Sequence, residues 1–80
     1  MDLVFVKVDI PNHSKIASYS IFEGSIALLT YSHTIYIKKM DCDNLIIHST
    51  LLFQPISICL YKSHIYILNQ KGEIMLSTGS

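Results

Sequence analysis

Apolar and polar positions alternate along much of this chain. From Leu3 to Asp9 the run LVFVKVD sets large apolar side chains between polar ones, and it is rich in β-branched and aromatic residues, the signature of a strand. Six further segments share its short length and the same Ile/Tyr/Leu bias. They are Ser25–Tyr31 (SIALLTY), Thr34–Met40 (TIYIKKM), Asn44–Ser49 (NLIIHS), Ile56–Tyr61 (ISICLY), His64–Asn69 (HIYILN) and Glu73–Ser77 (EIMLS). Small polar breaks separate them: Pro11–Ser14, Glu23-Gly24, Ser32-His33, Asp41–Asn44, Lys62-Ser63 and Gln70–Gly72. No segment keeps an i, i+3, i+4, i+7 apolar pattern over the roughly 10–12 residues that a helix needs. The breaks are too short for parallel crossovers, so the pattern predicts an all-β chain of antiparallel meanders. SIALLTY and SICLY are near-continuous apolar runs, as expected of strands covered on both faces. The stretch NQKGE predicts a hairpin loop in which Gly72 supplies the positive φ that a short turn requires.

The strands recur. Ile35-Tyr36-Ile37 returns thirty residues later as Ile65-Tyr66-Ile67, and the same offset lays Ile26 over Ile56 and Tyr31 over Tyr61. Five identities exceed the roughly one that chance gives in so Ile-rich a window, which marks an internal repeat. NLIIHS lies over EIMLS after a one-residue slip. An offset of thirty-one hints at an earlier copy, with Val4–Lys7 over Ile35–Lys38 and Ile21-Phe22 over Leu52-Phe53. The chain then reads as one all-β unit, 1–80, of three repeats: a partial one over about 1–24, a complete one over 25–54 and a partial one over 55–80.

Three or four short strands per period of about thirty resemble a β-propeller blade, although WD40 blades are longer, at about 40–45 residues. SHIYILNQKGEIML is similar to the strand–turn–strand of WD40-like and quinoprotein-like blades, while the Trp-Asp pair, the Gly-His start and a kelch double-Gly are all missing. The resemblance implies an incomplete propeller of about two and a half blades, since rings close with about 4–8. Further chain, further copies or a partner would complete such a ring. The alternative is a small β-barrel or sandwich in which the recurrence has no ring behind it.

Composition narrows the function. Half of the 80 residues are hydrophobic, and the formal net charge is zero. A β unit this small has little interior and many edges, so that much apolar surface predicts contact with another chain. All six basic residues are Lys, and the one doublet is Lys38-Lys39, so the basic stripe of a nucleic-acid binder is missing. No apolar run approaches the roughly 20 residues of a membrane span. Cys42 and Cys59 show no CxxC spacing or disulfide framework, which predicts free thiols and an intracellular protein, cytoplasmic or nuclear.

Candidate chemistry is thin. His13, His33, His48 and His64 lack ligand spacing, so no metal is expected. The dipeptides Ser32-His33 and Ser63-His64 place their side chains on opposite faces of a strand, where a nucleophile and its base cannot meet. The opening DCDN resembles the start of a calcium loop, but neither a Gly nor a closing carboxylate follows in register. With three glycines and no GxSxG, GxGxxG or Walker pattern, neither catalysis nor a cofactor is expected. The candidate binding residues are Tyr31, Tyr36, Tyr61 and Tyr66, because tyrosine joins a large apolar area to a polar tip; the competing role for the same four is packing between repeats. The sequence therefore predicts a non-catalytic protein–protein interaction or scaffold module, binding protein partners or itself. The alternative is a lectin-like small-ligand binder assembled from several short chains, against which the lack of Trp and Arg counts.

Overall fold

The computed structural model describes residues 3 and 5–78. They form seven strands: β1 (Ile16–Phe22), β2 (Ser25–Thr30), β3 (Thr34–Lys39), β4 (Leu45–Thr50), β5 (Ser57–Tyr61), β6 (His64–Leu68) and β7 (Ile74–Thr78). Two antiparallel meanders result, β1-β2-β3-β4 and β5-β6-β7, and neither closes into a barrel. The all-β, antiparallel reading of the sequence holds. Six of the seven expected segments coincide with β2 to β7.

The first expected strand does not form. Residues 5–10 lie outside any strand, and Val4 falls outside the described residues. Pro11 removes a backbone donor, and a single 3-10 turn follows at Pro11–His13 with positive φ at Asn12 and His13. The segment instead crosses a face of the first sheet, where Val8 and Ile10 pack against Ile26, Leu28 and Tyr36. The strand that forms there is β1, whose IASYSIF holds too many small polar residues to show a clear apolar alternation. The earlier repeat copy, which rested on a strand at 4–7, loses that anchor.

Turn chemistry sets the registers. Glu23 and Gly24 both take positive φ, 45° and 80°, in the two-residue turn of the β1–β2 hairpin, where Phe22 pairs with Ser25. In the β6–β7 loop Gly72 has φ 81°, as the sequence predicts, and its N–H donates to the Asn69 carbonyl. The Asn69 Oδ1 accepts the N–H groups of Lys71 and Glu73, locking the loop from inside. The β2–β3 turn is one residue longer than the β5–β6 turn. Leu29 pairs with Ile35 and Leu60 with Ile65, so β5 follows β2 at an offset of thirty-one while β6 follows β3 at thirty. Tyr31 is consequently a turn residue, whereas Tyr61 ends β5 opposite His64, and the two are not equivalent in register.

The core lies between the sheets. Ala27, Leu29 and Ile35 of the first sheet join Ile58, Leu60, Ile65 and Ile67 of the second in one buried cluster, with Phe22, Ile37, Leu51 and Phe53 at its margin. By register, Ala27, Leu29, Ile35 and Ile37 are the counterparts of Ile58, Leu60, Ile65 and Ile67. The sheets therefore meet through equivalent faces, the isologous kind of contact that closes as a pair. At the margin, β1 lies against the edge of β5, where Ser18 Oγ accepts the Ile58 N–H at 3.5 Å and Ser20 Oγ the Leu60 N–H at 2.8 Å. Two serines thus satisfy backbone donors that a further strand would otherwise take. Lys38 is buried, its ammonium donating to the carbonyls of Lys39 and Cys42.

Two stability predictions follow from this packing. Ser20→Ala leaves the Leu60 N–H without its acceptor and is expected to cost about 1–2 kcal/mol in denaturant unfolding; an unchanged midpoint would mean that water replaces the hydroxyl freely. Ile65→Ala empties a site at the centre of the cluster and is expected to cost about 2–5 kcal/mol, whereas the same change at exposed Ile74 should cost well under 1 kcal/mol.

Candidate interaction surface

Strand alternation turns Tyr36 and Tyr66 away from the isoleucines that flank them, and their two environments differ. On the first sheet the outer face is Ile26, Leu28 and Tyr36, covered by Val8, Ile10 and Leu45; Tyr36 is 7% exposed. On the second sheet the matching row is Cys59, Tyr66 and Leu76, neighbours by register across β5, β6 and β7. Nothing among the described residues lies over it. Tyr66 is 37% exposed, Leu76 56% and Ile74 71%, and Cys59 is exposed as a free thiol. Ser57, Tyr61, His64 and Leu68 complete this face, which carries no acid, Lys or Arg.

The four tyrosines do not converge. Tyr31 projects from the β2–β3 turn, 63% exposed, on a loop held by Ser14, Thr30, Ser32 and Thr34 hydroxyl bonds. Tyr36 is a packing residue under the N-terminal segment. Tyr61 stacks on Phe22 at 4.9 Å between ring centroids with a 56° tilt, and the Lys62 ammonium sits 5.5 Å from its ring. Only Tyr66 lies in the middle of an open sheet face. Leu76 and Ile74, which complete its surroundings, escape a reading of single residues; the two copies differ at Tyr66 and Cys59, whose counterparts Tyr36 and Leu28 are buried, while Ile47, the counterpart of Leu76, is exposed as Leu76 is. On the first sheet the two edges of this face stay open, with Tyr19 and Ile21 exposed on β1 and Ile47 on β4, on either side of buried Leu28 and Tyr36.

Polar chemistry on this molecule is scattered. A cleft of about 370 Å³ is lined by Phe53, Gln54 and the Asn69–Glu73 hairpin, and the Gln54 Oε1 is buried there without a partner. The Asn69 side chain is already committed to the turn, with its Nδ2 donating to Glu73 Oε1 at 3.0 Å. His33 stands in the β2–β3 turn and His64 opens β6, so the histidines do not gather. No group of three His, Cys, Asp or Glu side chains among the described residues is placed to hold a metal ion. Cys42 and Cys59 are both free, and no helix among the described residues is long and apolar enough to cross a membrane.

Comparison with known proteins finds no matching family model, no matching curated protein and no matching solved structure. The functional reading therefore rests on this surface and its chemistry.

The open face makes a direct prediction about reactivity. In the isolated folded chain, Cys59 should be alkylated at a rate within a few-fold of that in denaturant, since a free, exposed thiol is open to the reagent. Strong protection of Cys59 in the folded chain would contradict an uncovered second-sheet face.

Proposed function

We propose that this chain is a non-catalytic protein–protein interaction or scaffold module that works as part of a larger protein or multi-subunit complex. One observation carries the reading: Cys59 and Tyr66 are exposed beside exposed Leu76, while their counterparts Leu28 and Tyr36 are buried against the chain's own Val8 and Ile10. A continuous apolar face at this density is costly to leave in water and is characteristic of a contact surface. Its lack of charge favours a protein partner over a polyanion or an anionic membrane. The free thiols suit a reducing compartment, cytoplasmic or nuclear.

The propeller-like form of this reading has support and an obstacle. The thirty-residue recurrence of a blade-like meander supports it. The meeting of equivalent faces stands against it, because blades related by rotation about one axis lay unlike faces on each other. The interaction role needs only the bare face and holds for a sandwich-like pair of sheets as well as for a pair of blades.

A photo-crosslinking residue at position 66, introduced into the protein in the cells that express it, tests the proposal. Discrete protein adducts at position 66, well above those from the same probe at exposed Lys15, are the expected result. Equal yields at the two positions would overturn the role of this face.

A further inference from the structure

The sheets expose their edges unequally. The β5 edge is occupied, its Ile58 and Leu60 N–H groups held by Ser18 and Ser20. β1 carries a bulge at Ala17 and β4 another at His48, where the registers of Ile16/Ser18 and Ser49/Ile47 jump. Bulges at edges are a common protection against pairing with another chain. β7 has no such device. It pairs with β6 residue for residue, contains neither Pro nor a charged side chain, and has no strand on its other side among the described residues. Ile74, Met75 and Leu76 are all exposed, so β7 is unsupported on both faces.

We propose that β7 pairs with the β7 of a second copy of this chain, antiparallel about a two-fold axis at Leu76, joining two three-stranded sheets into one of six strands. The pairing uses the sheet edge rather than the face proposed above, and so goes beyond that reading. The backbone sets the register. Asn69 N–H donates to the Glu73 carbonyl, so the next bonded pairs along the hairpin are Ile67/Met75 and Ile65/Ser77. The N–H and C=O groups of Ile74, Leu76 and Thr78 therefore point away from β6. An antiparallel twin is the partner whose groups match these about a two-fold axis: Leu76 meets Leu76 of the other copy, and Ile74 meets Thr78.

Charge also favours a copy as the occupant. β7 is uncharged and the whole chain has zero formal charge, so a twin strand brings no repulsion. The edge is five residues long with three exposed apolar side chains, which belongs at the small end of interfaces, below about 1,200 Å². The pairing is accordingly concentration-dependent and leaves the row Cys59, Tyr66 and Leu76 on a widened sheet for other chains.

Sedimentation equilibrium of the full chain tests this through its central position. The wild-type mass should rise with concentration from the 9.1 kDa protomer to twice that value. Leu76→Lys and Leu76→Glu should each remain monomeric, because like charges would face each other across the axis. An equimolar mixture of the two should recover the dimer, which also guards against a variant that is silent through misfolding. A wild-type chain monomeric up to the millimolar range overturns the proposal, as does a Leu76→Lys chain that still dimerises or a mixture that stays monomeric. A monomeric wild type that still crosslinks from position 66 to another protein removes self-pairing and leaves the interaction module standing.

Discussion

The contact between two equivalent aliphatic faces is the constraint on which the rest of this molecule depends. Ile35 and Ile65, both fully buried, occupy the same place in β3 and β6, an inner strand of each sheet. Burying both at once requires the sheets to turn like faces inward, at about 25 cal/mol for each Å² of apolar area removed from water. Everything on the opposite faces follows from that choice. Tyr36 and Tyr66 are sent outward, and each outer row must find a cover elsewhere. The first sheet finds one in Val8 and Ile10. The second sheet, assembled from the last strands of the chain, finds none among the described residues.

The junction of β1 with β5 sets the limit of this core. Hydroxyls at Ser18 and Ser20 bring β1 close enough to β5 to occupy its edge without adding a strand to its ladder. Larger residues at these positions would hold the two strands apart. The small residues that make β1 hard to read as a strand are thus the ones that let the sheets converge. At the other end of the second sheet no comparable device guards β7 among the described residues, which leaves β7 as an unprotected edge strand.

Much of the fold is legible in the sequence because period two is a strong signal wherever one face is buried. The segments around Ile35-Tyr36-Ile37 and Ile65-Tyr66-Ile67 show it clearly, and Gly72 marks its turn. Two elements escape for opposite reasons. LVFVKVD has the composition of a strand but pairs with none, and Pro11 follows it; Val8, with Ile10 just beyond the run, serves as a cover, while Phe5 stays exposed. IASYSIF lacks the composition but meets β2 through a two-residue turn, and pairing decides its state. The candidate surface was only partly legible. The tyrosines stood out as residue types, yet only Tyr66 lies at the centre of a bare face. Burial is a property of what covers a strand, and neither the cover on Tyr36 nor its absence on Tyr66 is written in their immediate neighbours. The aligned pair Tyr31 and Tyr61 separates because one extra turn residue shifts β5 against β2, a difference that identity matching cannot register.

The meeting of equivalent faces is tested most directly by methyl and aromatic NOEs in the folded chain. Cross-peaks are expected between the methyl groups of Leu29 and Ile35 and those of Leu60 and Ile65, with none from the Tyr66 ring to the first sheet. Cross-peaks from the Tyr66 ring to Leu29 or Ile35 would mean that unlike faces are stacked, and would contradict both the core described above and the open surface that depends on it.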